Sequence, residues 1–123
     1  MSERVQRWID GYVTAWNSNE PADIRALFTD DATYLTAPFR EPWRGPDDIV
    51  TKWLERKDEP GDTSFTWEQI GEDGDRAFVQ GVTVYERATF SNLWVIDFAP
   101  DGRAVAFTEW WMDQSDSDAA SEE

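Results

Sequence analysis

The hydrophobic period of this chain changes once, near residue 63, and that change limits what it can fold into. Before it, apolar residues recur at helical steps. Val5, Trp8, Ile9, Tyr12, Val13 and Trp16 fall three and four apart and form one stripe of a first helix. Ser2 is placed to cap that helix, with Glu3 in the first turn, and Asn17-Ser18-Asn19 ends it. Pro21 suits the start of a short second helix with Ile24, Leu27 and Phe28 on one face, closed by Asp30-Asp31. A short strand ATYLT (32–36) and a proline-broken loop APFREPWRGP (37–46) follow. Asp47 and Asp48 then open a third helix with Ile49, Val50, Trp53 and Leu54 on its buried side, and DEPGD (58–62) reads as a turn.

After residue 63 the period is that of strands. TSFTWEQI (63–70) alternates and stops at the turn GEDGD, and RAFVQGVTVYERA (76–88) is a long strand in which Gly81 signals a bulge or bend. TFSNLWVIDF (89–98) and RAVAFTEWWMD (103–113) flank the turn APDG. Helices first and short-turned strands afterwards predict an α+β fold, with helices covering one face of a mostly antiparallel sheet. The expected organisation is one domain over 1–114 and a disordered acidic tail over 115–123.

Missing residue types narrow the chemistry. Without cysteine there is no thiolate nucleophile, and without histidine there is no histidine base or Ser-His-Asp triad. Acid–base work falls to Asp, Glu, Tyr, Lys or Arg. No metal site and no cofactor are expected: Asp30-Asp31 and Asp47-Asp48 read as helix boundaries, and GEDGD lacks calcium-loop spacing. Twenty-six acids against 11 bases give a net charge of −15, which repels nucleic acid and anionic membranes. That charge fits either a basic partner or a heavily hydrated surface of the kind found in salty cytoplasm. MSERVQRW lacks the apolar core of a signal peptide, and no stretch has the roughly 20 apolar residues of a membrane span, so a soluble, cytoplasmic protein is expected.

Five segments carry a family resemblance: AWN (15–17), LFTDDATY (27–34), PWRGPDDI (42–49), NLWVIDFAPDGR (92–103) and EWW (109–111). With them the chain, over about residues 3–114, resembles the nuclear transport factor 2-like superfamily and its bacterial polyketide-cyclase-like (SnoaL-like) branch. The resemblance implies a cone-shaped α+β barrel, with three N-terminal helices packed on a curved sheet around an apolar cavity. It also implies a small-molecule ligand and a homodimer through the outer sheet face. Against ketosteroid isomerase, a relative in fold, Tyr12 matches the oxyanion-hole tyrosine. Thr36 or Ala37, before Pro38, stands where the base aspartate belongs, and Trp94 replaces the protonated aspartate. Isomerisation by that mechanism therefore lacks its base. The Asp-Arg-Asp arrangement of epoxide-hydrolase relatives has no matched counterpart either.

Glu109 is the unusual residue, one carboxylate within FTEWWMD. Strand alternation puts Val105, Phe107, Glu109 and Trp111 on one face and Trp110 and Met112 on the other, where Trp110 suits a dimer interface. The hairpin register decides what Glu109 faces. A four-residue loop puts Asn92 opposite it, and a two-residue Asp101-Gly102 turn puts Trp94 opposite it. A three-residue Pro-Asp-Gly loop turns it away. The resemblance implies an even-length loop. Glu109 then converges with Asn92, Trp94, Trp111 and Phe107, with Tyr12 from the first helix and Trp43 and Arg44 from the proline-rich loop. Two functions compete. In one, the chain binds a small, mostly apolar ligand and acts as a lyase, isomerase or hydrolase, with Glu109 as acid–base and Tyr12 or Asn92 as helpers. In the other it is a non-enzymatic dimerisation, interaction or carrier domain, with Glu109 a strut paired to Arg44 or Arg40.

Overall fold

The computed structural model describes residues 3–55, 64–85 and 88–114. The Ser2 cap, the DEPGD turn and the acidic tail of the sequence reading lie outside those residues. The elements run α1 (Glu3–Ser18), α2 (Pro21–Arg25), β1 (Phe28–Leu35), β2 (Trp43–Arg44), α3 (Gly45–Glu55), β3 (Ser64–Asp73), β4 (Arg76–Val84), β5 (Thr89–Phe98) and β6 (Ala104–Asp113). The six strands form one sheet in the order β2-β1-β6-β5-β4-β3. Every neighbouring pair is antiparallel except β1 and β6, which run parallel. Three helices therefore lie on one curved, mostly antiparallel sheet, as the change of period predicts. The sheet is open, with β2 and β3 as its edges. No described helix is long and apolar enough to cross a membrane.

The expected stripe of α1 is the buried one: Val5, Trp8, Ile9, Tyr12 and Ala15 face the sheet. Trp8 anchors it, donating its indole N–H to the carbonyl of Leu27 at 2.9 Å and stacking on Phe107. The same carbonyl accepts the amide of Ala104 at 2.7 Å. Leu27 is thereby pulled out of the short helix, α2 ends at Arg25, and Phe28 begins β1. Asp30 and Asp31 consequently sit in an irregular, exposed part of β1 and do not close a helix. Asp48 does mark the start of α3, its carboxylate accepting the Arg44 amide at 2.9 Å.

Other boundaries move for identifiable reasons. Within the proline-rich loop, Trp43 and Arg44 pair with Tyr34 and Thr33 to make the edge strand β2, and Trp43 stacks on Tyr34 at 4.7 Å. GEDGD contracts to a two-residue turn, Gly74-Asp75, with Gly74 at a φ of 60°. β4 stops at Val84 because the Tyr85 amide turns back to the Ala88 carbonyl at 2.8 Å. Gly81 is not a bulge. It pairs regularly with Trp67 and Asn92, and the shift in β3 falls between Gln69 and Gly71. Gly81 is needed for space: a Cβ there would lie 2.6 Å from the Phe65 ring.

The β5–β6 hairpin combines two devices. Its loop is the three-residue Pro100-Asp101-Gly102, closed by the Ala99 amide on the Arg103 carbonyl at 2.8 Å, with Gly102 at a φ of 91°. By itself this loop would turn Glu109 outward. One residue further, the register shifts: Phe98 faces Ala104, but Asp97 faces Ala106, leaving Val105 as an extra residue. The bulge restores the inner parity, and Trp94 faces Glu109. The even-length loop of the sequence reading is thus replaced by an odd loop plus a bulge, and the resulting register is that of the two-residue turn.

Candidate functional site

Between the helices and the inner sheet face lies a cavity of about 370 Å³. Its walls are mostly aromatic. Tyr12 and Trp16 come from α1, Trp53 from α3, Tyr34 and Trp43 from β1 and β2, and Tyr85, Phe90, Trp94 and Trp111 from the strands of the second half. Its polar lining is Thr36, Arg40, Thr83, Asn92 and Glu109, so it contains one carboxylate among the described residues.

Glu109 is held through a single oxygen. Its Oε2 accepts the Asn92 Nδ2–H at 2.7 Å and the Trp94 indole N–H at 3.1 Å. Asn92 is itself oriented by Thr83, whose hydroxyl donates to Oδ1 at 2.7 Å. Thr83 and Asn92 are both buried, so this chain is fixed by the sheet and not by solvent. Burial pushes the Glu109 carboxyl above its ordinary pKa, and the hydrogen bonds from Trp94 and Asn92 pull in the opposite direction. Among the described residues no arginine or lysine forms an ion pair with Glu109. The proposed strut to Arg44 or Arg40 is therefore not formed.

Tyr12 sits 4.7 Å, ring to ring, from Trp94, and its hydroxyl shares a 2.8 Å hydrogen bond with that of Tyr34. Burial, then the neighbouring Tyr34 and Glu109, hold the Tyr12 phenol well above its ordinary pKa, so it remains protonated.

Of the residues expected here, Glu109, Tyr12, Asn92, Trp94, Trp111 and Trp43 do line the cavity. Phe107 and Arg44 do not. Phe107 is fully buried beneath it, packed on both Trp8 and Tyr12, and Arg44 is exposed on the edge strand. Arg40 takes the rim position, its guanidinium 5.7 Å from the Phe39 ring. Trp16, Tyr34, Trp53, Thr83, Tyr85 and Phe90 also line the cavity and were not expected there. Thr83 was detectable in principle, as a polar residue on the inner-facing register of an apolar strand. Thr36 lines the cavity where the isomerase base would stand, and it supplies no carboxylate.

The SnoaL-like domain family matches residues 6–114. The chain belongs to that family. Solved structures carry the same fold. The SnoaL-like chain superposes on an NTF-2 like protein from Burkholderia xenovorans with a TM-score of 0.71, at 15% identity over 90% of this chain and 84% of that one. A steroid delta-isomerase from Pseudomonas aeruginosa gives 0.66, at 16% identity over 99% and 89%. An LEH-like epoxide hydrolase from M. tuberculosis gives 0.59, at 18% identity over 86% and 80%. At such identities the likeness is one of fold. No curated protein matches this SnoaL-like sequence.

Proposed function

We propose that this SnoaL-like protein binds a small, mostly apolar molecule in the aromatic cavity and moves a proton on it with Glu109. The observation that carries the reading is the state of that carboxyl: it lines the cavity, has no cationic partner among the described residues, and has its pKa raised by burial. A carboxyl tuned upward in an apolar pocket suits proton transfer near neutral pH. Tyr12, protonated and adjacent, and Asn92 are the polar helpers. Solved relatives named as a steroid isomerase and an epoxide hydrolase make enolisable ketones and epoxides the first substrates to try. On such a panel, Glu109→Gln should lower turnover by about 100-fold or more, the usual scale for an acid–base group. Equal rates in the wild type and the variant would end the catalytic reading.

A ligand-carrier function is the second reading, favoured by the single carboxylate of the lining. Many acid–base sites of this size use two titrating groups with separated pKa values. Saturable binding without turnover on the same panel would select the carrier.

A further inference from the structure

We propose that the ligand of this cavity is a small organic cation, a mostly apolar amine whose ammonium group meets the free oxygen of Glu109. The inference rests on the reading of the cavity as a ligand site and names the class of ligand.

The argument begins with the direction of the hydrogen bonds. Both groups aimed at Oε2 are N–H donors, Asn92 Nδ2 and Trp94 Nε1. Donors favour the charged form of a carboxyl. The Asn92 amide is oriented with Nδ2 toward Glu109, its Oδ1 accepting the Thr83 hydroxyl at 2.7 Å. The two donors thus favour the carboxylate, working against the burial that opposes its charge.

A buried carboxylate needs a counter-charge. Among the described residues none is provided, and Oε1 accepts no hydrogen bond there. Arg40, the cation at the rim, lies over Phe39 on an exposed loop. The counter-charge is therefore left for the ligand to bring. The surrounding walls suit a cation as well as an apolar body, because the faces of Trp and Tyr rings attract ammonium groups. Trp94, Trp111, Phe90, Tyr12 and Tyr85 are among the rings that share the lining with Glu109. A net charge of −15 also raises the local concentration of cations before any contact forms.

The titrating groups that share the cavity are Tyr12 on α1, Tyr34 on β1, Tyr85 after β4 and Arg40 on the β1–β2 loop. Burial keeps Tyr12 protonated, so Glu109 is the group whose ionisation controls binding.

The test compares arylalkyl primary amines with their matched alcohols by calorimetry on the intact chain. The amines should bind at least about tenfold more tightly than the alcohols, a difference of one buried ion pair at modest strength. Their affinity should rise with pH as Glu109 ionises, above the ordinary carboxyl range, while the amines stay charged. Glu109→Gln should remove the preference, and Thr83→Val should weaken it in part. Because the amine–alcohol comparison uses the wild-type protein, it holds even if a variant does not fold. Equal binding of amine and alcohol overturns the cation inference and leaves the apolar cavity reading standing. Binding of neither overturns both.

Discussion

Trp94 and Glu109 stand directly opposite each other across the β5–β6 ladder, and the indole of one donates to the carboxylate of the other at 3.1 Å. The pair joins the core to the cavity. Trp94 is 2% exposed and stacks on Phe65 at 4.7 Å, so the donor cannot turn away from its acceptor. Trp94→Phe keeps an aromatic ring and deletes the N–H. The Glu109 pKa should then rise further, since one of the two bonds lowering it is lost. Carboxyl titration by carbon-13 NMR reads this directly, and a fall would contradict the assigned role of the indole. Stability should drop by about 2 kcal/mol from the smaller ring.

Glu109 also makes stability depend on pH. Its folded pKa lies above the unfolded value, so the folded state binds more protons between the two. Its contribution is fully present below the unfolded pKa and is lost as pH rises through the folded one. Glu109→Gln removes the titration. The variant should gain on the wild type between mildly acidic and neutral pH, by about 1 kcal/mol at the upper end, a few degrees in Tm for a domain of this size. Urea unfolding at the two ends of that range checks it. A gain confined to the acidic end would reverse the sign and refute the account.

Much of this arrangement was legible in the sequence. The helical stripe of α1 and the alternation of β5 and β6 placed Tyr12, Asn92, Trp94 and Glu109 on converging faces, because side-chain direction follows from period alone. What was not legible depended on contacts between distant segments. Leu27 reads as helical until its carbonyl is shared by Trp8 and Ala104. Trp43 reads as loop until Tyr34 is beside it. Arg44 and Arg40, two arginines in one irregular loop, cannot be told apart before the loop has a path. The hairpin register came out correctly for Glu109 by an unexpected route, since no local signal in RAVAF announces a bulge at Val105.

Gly81 gives a compact test of the inner face. Its hydrogen takes the place where a Cβ would meet Phe65 at 2.6 Å and the Thr66 carbonyl oxygen at 2.9 Å. The ring can yield, but the backbone oxygen cannot do so without moving β3. Gly81→Ala should therefore cost about 2 kcal/mol despite the general gain from replacing glycine in a strand. Adding Phe65→Leu should recover part of the loss but not all. Thermal unfolding of the single and double variants measures both effects, and a neutral Gly81→Ala would show that β3 is looser than its pairing implies.

The bulge at Val105 lets a three-residue loop coexist with an inward Glu109, and this can be tested by deleting one residue. Val105 is exposed and has no opposite partner, so its side chain contributes little: Val105→Ala should change stability by less than about 0.5 kcal/mol. Removing the whole residue joins Ala104 to Ala106. Phe98 then faces Ala104 and Asp97 faces Ala106 without a shift, so the ladder becomes regular and Trp94 stays opposite Glu109. Phe107 likewise keeps its buried place on Trp8 and Tyr12. The loop is untouched, closed by the Gly102 amide on the Ala99 carbonyl at 3.0 Å and the Arg103 amide on the Asp101 carboxylate at 3.0 Å. What the deletion disturbs is the other edge of β6, where Phe28 faces Ala104 and Thr33 faces Ala106 across the irregular Asp30-Asp31 stretch. The expected result is a loss of about 1–2 kcal/mol with the Glu109 titration intact. A folded deletion variant in which Glu109 titrates as an exposed carboxyl would show that the bulge does more than correct the parity of the loop.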